Sequence, residues 1–187
     1  MSALMDKTTL RKVARARRKE ASDLSAVDAS RALAGHVLTL LADKPPTTIG
    51  AYWAIGSEID VCPLMTLLAQ KGWQVVLPVV VMKASPLVFR RWSAGDELVG
   101  GPLKTVQPKE DQEDVTPDVI LTPLLAFDEQ GYRLGQGGGF YDRTLAQLKG
   151  RGVVSIGVAF AAQLVALVPR DDFDQRLDYI VTEQGRV

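Results

Sequence analysis

The chain has 187 residues, 47% apolar and 24% charged, which suits one globular domain with a proper core. Its 22 basic and 22 acidic residues balance, so nothing marks the whole surface as a polyanion binder. One cysteine and one histidine exclude an internal disulfide and metal sites built on several cysteines or two histidines; they also weaken any Ser-His-Asp scheme and point to a reducing cytoplasm.

The N-terminal stretch is basic and has no apolar h-region, which argues against a secretory signal, and Asp6 and Glu20 count against an acidic-poor transit peptide. Residues 6–20 read as a helix rich in Lys, Arg, Ala and Leu, with Asp6 near its start. A second helix is expected over 26–41, where Val27, Ala34, Val37, Leu38 and Leu41 form a stripe of period 3.6. Lys44, Pro45 and Pro46 stop it. Residues 47–53 read as a buried strand, 61–72 as a helix ending at Gly72, and 73–80 as the next strand. Together they make a βαβ unit with parallel strands. The apolar run 75–82 is too short to cross a membrane and is broken by Pro78.

A strand is expected at 86–92, followed by a long irregular connection over 93–117, rich in Gly, Pro and acidic residues. Residues 118–127 read as one strand, a glycine loop follows, and a helix starts at Phe140. Strands at 153–160 and 179–182 complete the chain. The expected fold is α/β: a single-domain three-layer α/β/α sandwich over residues 1–187, with a mainly parallel, Rossmann-like sheet.

The stretch YRLGQGGGFYDR, residues 132–143, lies after a strand's carboxyl end and before a helix, where open α/β sheets place ligands. A helix start leaves N–H groups unpaired and favours an anion. Gly135, Gly137, Gly138 and Gly139 allow unusual φ and close approach to phosphate oxygens, and Arg133 and Arg143 bracket them with charged donors. The dinucleotide fingerprint fails because residue 140 is Phe, and the Walker A pattern fails because Gly-Gly-Phe replaces Gly-Lys-Ser/Thr. A triphosphate cradle is the reading that fits; a turn with two solvated arginines is the plainer one. Asp142, in the first helical turn, is either a favourable helix-start charge or an oxygen ligand for Mg²⁺. A second ligand could come from Asp171, Asp172, Asp174 or Asp178, and spacing does not choose among them.

Lys7, Arg11, Arg15 and Arg18 share one helix face. Such a face is solvated, binds nucleic acid, or closes over a bound nucleotide; the absence of interleaved aromatics counts against nucleic acid. Tyr52 and Trp53 are core residues or an aromatic wall beside Glu58, suited to a flat, amine-bearing heterocycle. Cys62 reads as core filling, and His36 as structural or exposed.

The stretches GSEID (56–60), TPLLAFDEQGYRLGQGGGFYDR (122–143) and DFDQRLDYIVTE (172–183), in that order, resemble the 5-formyltetrahydrofolate cyclo-ligase family from Lys7 through Glu183. The resemblance implies ATP- and Mg²⁺-dependent closure of 5-formyltetrahydrofolate to 5,10-methenyltetrahydrofolate. It implies ATP contacts at Lys7, Arg11, Arg133, Leu134, Gly135, Gln136, Gly137, Gly138, Gly139, Phe140 and Tyr141, with the basic helix packing toward that site. It further implies catalytic roles for Arg133, Tyr141 and Asp142, metal carboxylates at Asp142 and Asp174, and folate contacts at Trp53, Glu58 and Gln136. The expected partners are ATP and a reduced folate, with no nucleic acid or membrane, in a monomer or weak homodimer. Two positions depart from the family pattern: Phe173 stands where many members have His, and Gln136 where some have Arg. Two other readings keep the phosphate loop: a non-catalytic nucleotide- or phosphate-sensing module, and a sugar-phosphate isomerase. The isomerase leaves GSEID and the basic helix unexplained.

Overall fold

The computed structural model describes residues 5–187; residues 1–4 of the expected domain lie outside the described residues. Helix α1 spans Lys7–Leu40 and is capped by Asp6, whose Oδ1 accepts the Thr8 and Thr9 N–H groups at 2.8 and 3.1 Å. The two helices expected over 6–20 and 26–41 are therefore one helix without an intervening loop. It breaks at Ser25 (φ −151°, ψ 22°), whose hydroxyl donates back to the Ala21 carbonyl at 3.2 Å. That bond competes with the helical ladder and bends it. Beyond the break the buried side is Ala29, Ser30, Leu33, Ala34 and Val37. Val27, expected in this stripe, is 63% exposed.

Strand β1 (Thr48–Gly50), helix α2 (Cys62–Gln70) and strand β2 (Gln74–Val79) form the expected parallel βαβ unit, with Ile49 opposite Val75. Strand β3 (Val88–Arg91) turns back antiparallel to β2. The connection expected to be irregular carries a short hairpin, β4 (Leu98–Gly100) and β5 (Val106–Pro108), around a 3-10 turn at Pro102–Lys104. The single strand expected over 118–127 is two: β6 (Val119–Pro123) in the main sheet and β7 (Ala126–Phe127), which pairs with β8 (Arg133–Leu134). Gln163 enforces the split by donating from one amide nitrogen to the carbonyls of Leu124 and Leu125, at 2.7 and 3.0 Å. Helix α3 (Phe140–Leu148), β9 (Val154–Val158), β10 (Tyr179–Thr182) and β11 (Gly185–Arg186) complete the order.

The main sheet runs β11-β10-β9-β6-β1-β2-β3, parallel from β10 to β2 and antiparallel at both edges. The carboxyl-terminal half of α1 and α2 cover one face, packing Leu33, Val37, Leu64 and Leu68 against Ile49, Leu77, Leu121 and Ile156. Helix α3 covers the other, packing Phe140, Leu145 and Leu148 against Val76 and Ile120. These alternate residues point to opposite faces because the strand period is two. This is the α/β/α sandwich expected from the sequence. The chain leaves β1 toward β2 on one side and later builds β6, β9 and β10 on the other. The carboxyl ends of β1 and β6 therefore form a switch point, where such sheets open a crevice.

The turn between β7 and β8 aims the glycine loop at that crevice, and Asp128 fixes it. Its side chain, 1% exposed, accepts from the N–H groups of Gln130 (3.0 Å), Tyr132 (3.1 Å) and Val168 (3.0 Å). Asp128→Ala leaves three donors without their acceptor and should lower unfolding free energy by about 3 kcal/mol. Urea denaturation followed by fluorescence checks this; an unchanged midpoint would show that the turn holds without the carboxylate.

Candidate active site

A cleft of about 1290 Å³ opens at the carboxyl ends of β1, β2 and β6, beyond the ~300–1,000 Å³ usual for one drug-sized ligand. The segment Tyr52–Glu58 forms one wall, the glycine loop and the start of α3 the opposite one, and Asp171–Gln175 with Lys7 close one end.

The amino-terminal arm of α1 crosses this cleft with its basic face turned inward. Lys7 Nζ lies 2.7 Å from Asp171 Oδ2 and 2.6 Å from Asp174 Oδ2. Partial burial works against the ammonium, but the two carboxylates outweigh it and raise the Lys7 pKa above the ordinary lysine value. The Lys7 contact likewise holds the exposed Asp171 carboxyl below its usual range. Arg11 Nε donates to the Gly135 carbonyl at 3.0 Å. Arg15 donates to Gln136 Oε1 through Nε at 3.2 Å and Nη2 at 2.9 Å. Arg18 donates to Ser57 Oγ at 3.2 Å and Glu58 Oε1 at 3.4 Å.

The glycine loop is shaped by backbone that only glycine adopts cheaply. Gly139, at φ +65°, is the N-cap of α3, and Gly137, at φ +105°, lies against the Arg11 guanidinium. A Cβ at Gly139 would come within 2.8 Å of Arg143 Nη1. Arg143, which also lines the cleft, turns back to donate to the Gly138 carbonyl and stacks on Phe140 at 5.4 Å, so it braces the loop. Leu134 presents main chain alone to the cleft, because its side chain is buried with Leu10, Ala14 and Leu125.

Arg133, 7% exposed, donates through Nη2 to Asp142 Oδ1 at 2.7 Å and through Nη1 to the Gln175 carbonyl at 2.7 Å. Burial lowers its pKa and the Asp142 charge opposes that. Asp142 Oδ1 also accepts the Gln175 N–H at 3.1 Å, which ties the start of α3 to the residue after Asp174. Asp174 Oδ2 is held by Lys7 and by the Asp171 N–H at 2.8 Å. Asp142 Oδ2 and Asp174 Oδ1 have no hydrogen-bond partner among the described residues. Among the same residues no three His, Cys, Asp or Glu side chains gather into a metal-binding group. Asp142 and Asp174 both line the cleft with one carboxylate oxygen open, the kind of donor a hard cation takes together with ligand phosphates and water. Of the other acidic candidates, Asp171 and Asp172 line the cleft, whereas Asp178 is bound to Ser155 on the sheet.

On the opposite wall Trp53 meets Trp92 edge to face, with centroids 5.9 Å apart. Glu58 Oε2 accepts the Ile55 N–H at 3.0 Å. Burial raises the Glu58 pKa against the pull of that N–H and of Arg18. Burial, then Glu58, pushes the Tyr141 phenol upward, so its hydroxyl is a neutral donor at physiological pH. The structure therefore brings Lys7, Arg11, Trp53, Glu58, Gln136, Tyr141, Asp142 and Asp174 to one cleft. Sequence reasoning assigned no individual role to Ser57, Trp92 or Gln175, and it took Arg18 only as one member of the basic helix face. The i, i+3 step from Arg15 put Arg18 on that face, whereas Trp92 and Gln175 carried no signal. Phe173, at the rim, is 81% exposed.

Fold and cleft define the class: an α/β protein in which a loop suited to phosphate faces a carboxylate-bearing aromatic wall. The model of the 5-formyltetrahydrofolate cyclo-ligase family matches residues 3–183, and the chain belongs to that family. The 5-formyltetrahydrofolate cyclo-ligase of Escherichia coli (strain K12) is 41% identical over 140 residues, covering 72% of this chain and 77% of its own. The protein of that name from Haemophilus influenzae is 30% identical over 173 residues, covering 90% of each chain. Among solved structures, the 5,10-methenyltetrahydrofolate synthetase of Aquifex aeolicus superposes with TM-score 0.75 at 31% identity, covering 97% of this chain and 92% of that one. The Mycoplasma pneumoniae enzyme of the same name gives TM-score 0.74 at 26% identity, with 96% and 99% covered. The chain is accordingly an enzyme, which sets the sensing-module reading aside.

Cys62, at the start of α2, packs against the core and is not among the residues lining the cleft. Burial, then the neighbouring Asp60, pushes its thiol up to about 12. Thiolate is the reactive form, so at pH 8 the native protein should alkylate with iodoacetamide at least about tenfold more slowly than in urea. Equal rates, read by mass spectrometry, would contradict that environment.

Proposed function

We propose that the chain catalyses the ATP- and Mg²⁺-dependent cyclisation of 5-formyltetrahydrofolate to 5,10-methenyltetrahydrofolate, releasing ADP and phosphate. The observation that carries this reading is the joining, in one cleft, of a glycine cradle under a basic helix face to a wall bearing Trp53 and Glu58. The family to which the chain belongs supports it.

The formyl group on N5 is amide-like and a poor electrophile, because the nitrogen lone pair delocalises onto its carbonyl. Attack of the formyl oxygen on the γ-phosphorus breaks the bond to the β-phosphate and frees ADP. N10 then adds to the formyl carbon, its N–H proton passes to solvent, and the phosphorylated oxygen departs as phosphate. Phosphoryl transfer depends on positioning and charge neutralisation more than on covalent help, so no nucleophilic Ser or Cys is needed. Backbone N–H groups around Gly137–Gly139, with Lys7 and Arg11, would cradle the triphosphate, and Arg133 would hold Asp142 in place. Asp142 and Asp174 would hold Mg²⁺, which supplies charge neutralisation at the transferring phosphoryl group. Trp53 would pack on the pterin ring, and Glu58 would accept from its amine-bearing edge through charge-assisted hydrogen bonds. Gln136 would sit on the same side. Tyr141, a neutral phenol beside Glu58, would donate to substrate rather than take a proton. The free Cys62 thiol accords with a reducing cytoplasm. Among the described residues no helix is long and apolar enough to cross a membrane. We infer action on small molecules by a monomer or weak homodimer.

Two substitutions separate the halves of the cleft. Asp142→Asn should raise the Mg²⁺ concentration for half-maximal rate by about tenfold or more while circular dichroism reports an intact fold. Near-normal activity at limiting Mg²⁺ would remove the carboxylate from the metal. Glu58→Gln should raise the folate KM by about tenfold with the ATP KM unchanged. Loss of ATP affinity alone would overturn the assignment of that wall to folate.

A further inference from the structure

Arg18 is the most deeply buried cation of the α1 face, at 6% exposure, and it touches neither the glycine loop nor the two aspartates. Burying a guanidinium costs desolvation free energy, so its partners indicate what it is for. Those partners are two neighbouring residues of one loop: Ser57 Oγ receives Nε, and Glu58 Oε1 receives Nη1. The Ile55 N–H holds the second carboxylate oxygen, Oε2. Glu58 is thus gripped at both oxygens from the protein side while its carboxylate lines the cleft.

The groups around Glu58 leave this task to Arg18. Tyr52, from the end of β1, has committed its hydroxyl to the Ile59 carbonyl at 2.7 Å. Tyr141, from α3, is a neutral phenol that the Glu58 charge makes harder to ionise. Asp60, on the same loop, accepts the Cys62 N–H and adds negative charge nearby. Arg133 is committed to Asp142 and the Gln175 carbonyl. Among the described residues Arg18 is the cation paired with Glu58.

The geometry points to Arg18 as a positioning residue for the folate half of the cleft: it locks Ser57 and Glu58 into one unit and keeps the carboxylate charged and aimed at the amine-bearing edge of the pterin. This rests on the reading of Glu58 given above. A buried carboxylate without its cation takes up a proton at higher pH, and one of its acceptor oxygens then becomes a donor. Arg18 therefore acts through Glu58 on folate recognition, and ATP is handled by other residues.

Steady-state kinetics on Arg18→Met, Arg18→Lys, Glu58→Gln and the Arg18→Met/Glu58→Gln pair test this. Arg18→Met should raise the folate KM about tenfold, keep the ATP KM within about twofold, and move the acid limb of kcat/KM for folate upward by about one pH unit. Arg18→Lys, which keeps the charge, should recover part of both effects. The double variant should be no worse for folate than Glu58→Gln alone, because the two side chains act as one unit. A fall in kcat with unchanged folate KM and acid limb would overturn the role, as would full additivity in the double variant. Should Arg18→Met fail to fold, Arg18→Lys carries the same test: a raised folate KM at unchanged ATP KM supports the role, and a uniform loss opposes it. An unchanged folate KM in Glu58→Gln would remove the Glu58 reading itself, and the Arg18 role with it.

Discussion

The site depends on one constraint: a helix anchored in the core layer at one end carries its basic face across the carboxyl ends of the strands at the other. The anchored half of α1 buries Leu33, Ala34 and Val37, and the amino-terminal arm sends Lys7, Arg11, Arg15 and Arg18 to three loops. Those loops come from the end of β1, from the β8–α3 connection and from the segment before β10, far apart in the chain. Arg133 and Asp142 already tie the second of these to the third through Gln175, and the arm adds the bonds that bring in the loop after β1. Ser25, where the helix departs from helical geometry, lets one element serve both purposes.

The same constraint settles the electrostatics. The protein is neutral overall, yet the cleft gathers cations on one helix face and opposes them with Asp171, Asp174 and Glu58. Each cation thus stands paired or bonded to a carbonyl before any ligand arrives. Ion pairs this exposed contribute little to stability, and the Lys7 pairs are partly open to solvent. Their value lies in holding donors and acceptors where a polyanion can exchange partners with them. Arg133 and Glu58 are different: both are buried, and each is positioned by an oppositely charged neighbour.

Much of this was legible in the residues. Period-two and period-3.6 patterns located the βαβ unit, α3 and the sheet's parallel core, and the run of glycines located the loop. What was not legible depended on tertiary contacts. The split of 118–127 follows from the buried Gln163 amide capturing two carbonyls, a bond formed across 38 and 39 residues of chain. The break at Ser25 comes from a hydroxyl that many helices carry without bending. Among the acidic candidates spacing could not choose, whereas the fold removes Asp178 by committing it to Ser155. Arg18 looked like any member of a basic stripe until its burial against Ser57 and Glu58 set it apart.

The central claim is that one cleft couples triphosphate cleavage to ring closure on the folate. The most direct test mixes the protein with Mg-ATP and 5-formyltetrahydrofolate and follows the methenyl chromophore and ADP in the same sample. The account predicts that the two products rise together in a ratio of about one, since each cyclisation consumes one phosphoryl transfer, and that neither forms when either substrate is omitted. Methenyl formation without ATP, or ADP release indifferent to the folate, would contradict it.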